Sequence, residues 1–297
     1  MPDLMEPLQY HFFVRGLLAA LMAGGICGLL GVYIVLRRMS YIGHGLSHAV
    51  FGGAVVSYVI SVNFYIGAGL WGALSALLIN VTSRRRSIGA DAAIGIITTA
   101  SFALGVLLIS RYNTFTRSFD AALFGSLLGV TDRDLLVLAG VTVATIGFVF
   151  FGYKQLLFNT FDPEVAPSYG VRSGTIDTLF ALVLAAAIIA SMNILGVTLI
   201  AAAIVIPPTV ARLVTDSFSR MLALSGVLGA VNGFAGMYLS YYLDSSSGAT
   251  IVLLGTATFA VALLYASARE RRYAMRRRAP AAVAVQSEPK VAIYDYD

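Results

Sequence analysis

Three histidines occur in the 297 residues, and two of them, His44 and His48, stand four apart in the run Met39-Ser40-Tyr41-Ile42-Gly43-His44-Gly45-Leu46-Ser47-His48-Ala49. Positions i and i+4 share one face of a helix, so a helical run aims both imidazoles at one point. Neutral imidazole suits zinc, manganese, iron, nickel or copper. Ser47 lies next to that face, where its hydroxyl can orient a ring or a bound water. The competing reading is a pair of rings satisfied by backbone carbonyls in a packed bundle. The H-E-x-x-H zinc-protease pattern is not met, because it needs a glutamate as general base and Gly45 occupies that position. A binding site is therefore favoured over a hydrolytic one.

Two further segments carry chemistry or mechanics. Pro207-Pro208 interrupts the apolar run around Ile204 to Ala211. Each proline removes a backbone donor and crowds the preceding turn, so a helix break is expected there, either lining a path or as a plain kink. The stretch from Asp162 to Val171 reads as a short capped helix in a loop, with Asp162 as N-cap, Pro163 at the first position, Glu164 and Ala166 following, and Gly170 as terminator. Such a helix can dock into another protein or be a mere connector. The two lysines, Lys154 and Lys290, lie in no G-x-x-x-x-G-K-[ST] pattern. The chain has no P-loop of its own, and any ATP-driven motor is a separate chain.

What must position these residues is set by composition. Hydrophobic residues make up 58% and charged residues 12%, against roughly 25% charged in a soluble domain. That much apolar surface is usable where lipid is the solvent. An all-α, polytopic transmembrane bundle of about eight to nine spans is expected, near 12–36, 41–61, 66–83, 91–110, 134–152, 174–192, 194–214, 221–242 and 248–268, with only Asn193 and Gly196 to divide the nearly continuous apolar stretch 174–214. The apolar piece Phe119 to Val130 is too brief to cross and reads as re-entrant or interfacial. Residues 1–11 form a short external segment, 12–268 the membrane domain, and 269–297 a basic and then mobile cytoplasmic tail. Acidic Asp3 and Glu6 precede the first basic residue, which marks the first helix as an uncleaved span.

The net charge of +5 is spread in clusters between apolar runs, which argues for membrane orientation and against nucleic-acid binding. With the N-terminus outside, sixteen of the twenty Lys and Arg fall inside, leaving Arg15, Arg111, Arg117 and Arg133 outside. That bias favours N-out and C-in. Gly24 with Gly28 and Gly229 with Gly233 are small pairs at helical spacing, suited to close packing within the chain or, less often, to a dimer contact. The single cysteine, Cys27, allows no intrachain disulfide.

Five segments occur in a telling order: Arg37 to Ala49, Asp91 to Ile96, Phe124 to Thr131, Asp162 to Val171, and Ile206-Pro207-Pro208-Thr209-Val210-Ala211-Arg212. Together they resemble the permease subunits of bacterial zinc- and manganese-type ATP-binding-cassette importers, from about residue 12 to about residue 268. The resemblance implies a type II importer fold in the cytoplasmic membrane, paired with a second copy or a similar permease. It further implies two ATPase subunits, an extracytoplasmic metal-binding protein, no tightly bound cofactor, and manganese or zinc as transported ion. It makes the segment Asp162, Pro163, Glu164, Ala166, Gly170, Val171 the coupling helix that rests on the ATPase. It makes His44 and His48 the membrane ligands, with Asp91 and Asp120 as supporting carboxylates. His44 departs from the family pattern, which most often has aspartate there. A permease for cobalamin or iron chelates, and an intramembrane metal-dependent hydrolase, are the rival readings.

Overall fold

The computed structural model describes residues 5–83, 89–112, 125 and 129–285. Ten α-helices follow one another among the described residues: α1 His11–Leu36, α2 Tyr41–Val59, α3 Phe64–Ser83, α4 Ala90–Tyr112, α5 Asp132–Phe151, α6 Tyr153–Phe161, α7 Ser173–Leu195, α8 Ile200–Val214, α9 Phe218–Leu243 and α10 Ser247–Val285. Nine of them fall on the expected spans. Short 3₁₀ turns at Glu6–Gln9 and Ala166–Tyr169 complete the described elements. A helix satisfies every backbone donor and acceptor within itself, which is what a lipid environment demands.

Seven of the helices are long and apolar enough to cross a bilayer. The two other expected spans differ for distinct reasons. α2 has 19 residues, long enough at about 1.5 Å per residue, but is diluted by four glycines, two histidines and two serines. α8 has 15 residues, about 22 Å of helix against a hydrocarbon core of about 30 Å. The expected span at 194–214 is thus part loop and part short helix.

The interruption falls at Gly196, and the expected break at Pro207-Pro208 is corrected by the structure. α8 runs without a break from Ile200 to Val214 with both prolines inside it. The prolines free carbonyls one turn earlier, and at one of these, Ile204, α1 comes so close that a Cβ on Gly31 would stand 1.9 Å from the oxygen. Gly196, by contrast, caps α7 with φ 79° and ψ 154°, a region open almost solely to glycine. Its neighbours Leu195 and Val197 are fully buried. Gly196→Ala is expected to cost about 1–3 kcal/mol and to lower the unfolding temperature of the detergent-solubilised protein; an unchanged melting curve would contradict the strained geometry.

The two most enclosed spans are α1 and α7, and the remaining helices wrap them. Phe13, Ala20, Ala23, Leu30 and Tyr33 of α1, with Leu184 and Ile188 of α7, are fully buried. The paired glycines pack α1 on α9 within the chain: a Cβ on Gly24 would meet the Gly229 carbonyl at 2.1 Å, and one on Gly233 the Ala20 carbonyl at 2.2 Å. Ser225 Oγ closes the same seam by donating to the Gly28 carbonyl at 2.7 Å. α10 continues as helix to Val285, into the stretch assigned to the tail. Its Ala, Arg and Glu content favours helix without any packing partner. The piece Phe119 to Val130 lies almost wholly outside the described residues.

Candidate metal centre

The turn from α1 to α2 decides where the histidines begin. Arg37 N donates to Tyr33 O, Arg38 N to Val35 O and Met39 N to Ile34 O, at 3.0, 3.1 and 3.0 Å. Arg38 takes φ 56° in this tight reversal. α2 then starts at Tyr41, with His44 in its first turn and His48 one turn further. Its small residues let α4 approach closely on either side of His48: a Cβ on Gly45 would stand 2.4 Å from Ile94 Cγ2, and one on Gly52 2.1 Å from the Ser101 carbonyl, both on α4. α2 is thereby clamped, and the imidazole face is left half-buried.

The two rings lie together. Their centroids are 4.5 Å apart at an interplanar angle of 78°. Tyr41 flanks His44 at 5.5 Å, and Phe102 of α4 meets His48 edge-on at 4.9 Å. Aromatic walls fix both ring orientations without consuming a ring nitrogen. Nδ1 of His48 is buried and has no hydrogen-bond partner. A buried polar atom left so costs about 1–3 kcal/mol, which an incoming ligand to that nitrogen offsets. The backbone-carbonyl alternative is not what holds His48 Nδ1.

The supporting residues fare differently. Ser47 is fully buried and its hydroxyl donates to the His44 carbonyl at 2.8 Å, so its proton is committed to the helix and not to a ring. Asp91 sits in the first turn of α4, exposed to solvent or lipid. Among the described residues no third His, Cys, Asp or Glu joins the histidines. Asp120 lies outside the described residues. Within them the centre is a pair of imidazoles.

The 162–171 segment is corrected in detail. Asp162 terminates α6 and does not start a helix. Its carboxylate accepts from Val165 N at 3.3 Å, a turn carries Pro163 to Val165, and a single 3₁₀ turn spans Ala166–Tyr169. Two prolines in five residues prevent a longer helix, since each deletes a donor. Gly170 ends the turn at φ 76°, the left-handed stop its type suggested. Ala166 anchors the segment by complete burial, while Val165 and Tyr169 are 40% and 68% exposed. Pro163 and Glu164 are exposed too, so the segment offers a mixed apolar and acidic surface.

One cluster escaped the sequence reading. Arg37 Nη1 pairs with Asp177 Oδ1 at 2.9 Å, with side chains only 11% and 30% exposed. Arg37 Nε also donates to Thr160 Oγ1 at 3.1 Å. The available signal was Asp177 itself, an ionisable residue within an apolar span.

This bundle has close counterparts. The model of the ABC 3 transport family matches residues 9–266. The chain belongs to that family. A manganese transport system membrane protein of Halalkalibacterium halodurans is 36% identical over 258 residues, covering 87% of this chain and 88% of that protein. A manganese import system permease protein of Streptococcus parasanguinis is 34% identical over 90% of this chain and 95% of its own length. A probable iron transport system membrane protein of Haemophilus influenzae is 34% identical over 88% of this chain. Among solved structures, PsaBC from Streptococcus pneumoniae in complex with a Fab superposes with TM-score 0.79 at 32% identity, covering 87% of this chain and 94% of that one. An inward-facing putative metal-chelate type ABC transporter shares the fold at TM-score 0.70 and 18% identity. Membership makes this a multi-pass membrane permease subunit.

Proposed function

We propose that the chain is the membrane-spanning permease of an ATP-driven importer of divalent transition-metal ions, of the manganese or zinc class. The observation that carries the reading is the His44–His48 pair: two rings 4.5 Å apart, half-buried, with one nitrogen unpartnered. Ligands that are few and neutral hold an ion briefly and let it go, as conduction requires. The manganese and iron transport proteins to which the chain is similar support the same cargo class.

The open side of the imidazole face calls for cover, because a polar ring facing lipid is costly. A second copy, or a similar permease, supplies that cover and further ligands. Two ATPase subunits dock on the 162–171 segment through Val165, Tyr169, Pro163 and Glu164. An extracytoplasmic binding protein delivers the ion at the opposite end of the bundle. The charge bias places the N-terminus outside and the C-terminus in the cytoplasm of a bacterium. ATP binding moves the permease so that the ion is admitted from one side and released to the other.

Proteoliposomes holding the permease with its ATPase and binding protein are expected to accumulate radiolabelled manganese or zinc in an ATP-dependent manner, and to take up neither cobalamin nor an iron chelate. Accumulation of a chelate with no uptake of free ion would replace this reading with its nearest rival, a metal-chelate permease.

A further inference from the structure

The Arg37 cluster ties the 162–171 segment to the helix of the histidines. Asn159 and Thr160 stand three and two residues before Asp162, at the end of α6, and Asp177 stands six residues after Val171, in α7. Asn159 Nδ2 donates to Asp177 Oδ1 at 2.5 Å, and the Arg37 guanidinium bonds both Thr160 and Asp177. Its other contact is the Phe180 ring, 5.0 Å from the guanidinium carbon. Phe218 of α9 caps the same knot, with Tyr33 and Phe161 each at 5.7 Å between ring centres. Arg37 thus grips both stalks of the segment. On its own chain side it is separated from Tyr41 by the short turn Arg38–Ser40, and His44 follows within the first turn of α2.

Rotation or translation of the stalks therefore pulls on the start of α2 through one planar, two-pronged side chain. Arginine suits this role because its fork holds two acceptors in fixed geometry, which an ammonium on a flexible stem does not. The knot is also incompletely satisfied: Arg37 Nη2, Asn159 Oδ1 and Tyr33 OH are all buried without a partner. Such unspent donors and acceptors leave the knot free to re-pair when its stalks move, which a fully satisfied network resists. By contrast, the pair Arg15–Asp132 at the other end of α1 is open, its side chains 33% and 81% exposed.

We propose that the Arg37–Asp177–Thr160 knot is the mechanical link that passes motion of the ATPase-docking segment to the metal pair, with Arg37 as a positioning residue and not a ligand. The inference rests on the importer reading above. Its test is the reconstituted full complex carrying Arg37→Lys, and separately Arg37→Met with Asp177→Leu. The second variant replaces the buried pair by apolar groups of similar size, a change that spares folding even where loss of one charge does not.

Metal binding to the detergent-purified complex is expected to stay within two-fold of the unaltered protein, and basal ATP hydrolysis likewise. Metal uptake is expected to fall at least ten-fold in both variants, and stimulation of ATP hydrolysis by delivered metal to vanish. A purely structural role predicts loss of metal binding or of complex assembly together with uptake, and that outcome overturns the link. Uptake at the unaltered rate in the Met/Leu variant overturns it as well. An unaltered complex that accumulates no metal overturns the importer reading first, and this inference with it.

Discussion

Replacing both imidazoles, His44→Ala with His48→Ala, is expected to drop ATP-dependent metal uptake to the background of vesicles lacking the permease, while the protein still reaches the membrane at its normal abundance. The two halves of that outcome have separate causes. Outer-shell partners of metal ligands alone are worth about 10–100-fold in affinity or activity, so removing both ligands exceeds roughly 100-fold. Stability changes far less, because the rings are half-buried and their loss also removes the unpartnered Nδ1 of His48. The flanking contacts, tilted from Tyr41 and edge-on from Phe102, are each worth about 0.5–1.5 kcal/mol. Single substitutions are expected to fall between the double variant and the unaltered protein. The measurement is uptake normalised to permease content, with the melting temperature recorded on the same preparations. Uptake by the double variant at the unaltered rate would remove His44 and His48 from the transport path.

How much of this was legible in the sequence depends on which physical signal each feature left there. Apolar runs gave away nine helices, because lipid demands unbroken hydrophobic length and the composition leaves few alternatives. The helical spacing of His44 and His48 placed both rings on one face, and the 4.5 Å separation follows from it. A helix break was expected at Pro207-Pro208, since proline is the usual helix breaker, and Asn193 and Gly196 marked where the apolar stretch 174–214 divides into two helices. In the structure the helix absorbs both prolines, and the division falls at Gly196, whose positive φ suits the one residue type without a side chain. Ser47 looked available because a sequence does not reveal that its proton goes to the His44 carbonyl one turn back. The Arg37–Asp177 pair spans 140 positions. The two charges stand in distant parts of the chain, so only the packing of α1 against α6 and α7 brings them together.

His44→Asp is expected to move preference from zinc towards manganese by about ten-fold, or about 1.4 kcal/mol in relative affinity. The pair as it stands offers two neutral nitrogens. Nitrogen ligands follow the order in which zinc binds more tightly than manganese, and a hard anionic oxygen narrows that gap. The carboxylate also adds a negative charge at close range to a dication. That attraction strengthens binding of both ions, by several kcal/mol before desolvation of the new charge is subtracted. Tighter binding has a kinetic consequence, because an ion held more firmly leaves more slowly. The variant should therefore show a lower half-saturating metal concentration, a lower maximal rate, and weaker inhibition of manganese uptake by zinc. Competition curves of zinc against radiolabelled manganese, run on both proteins at one pH, separate this from a general loss of activity. If the zinc-to-manganese ratio does not move while uptake persists, His44 does not touch the ion, and His48 alone carries the membrane site.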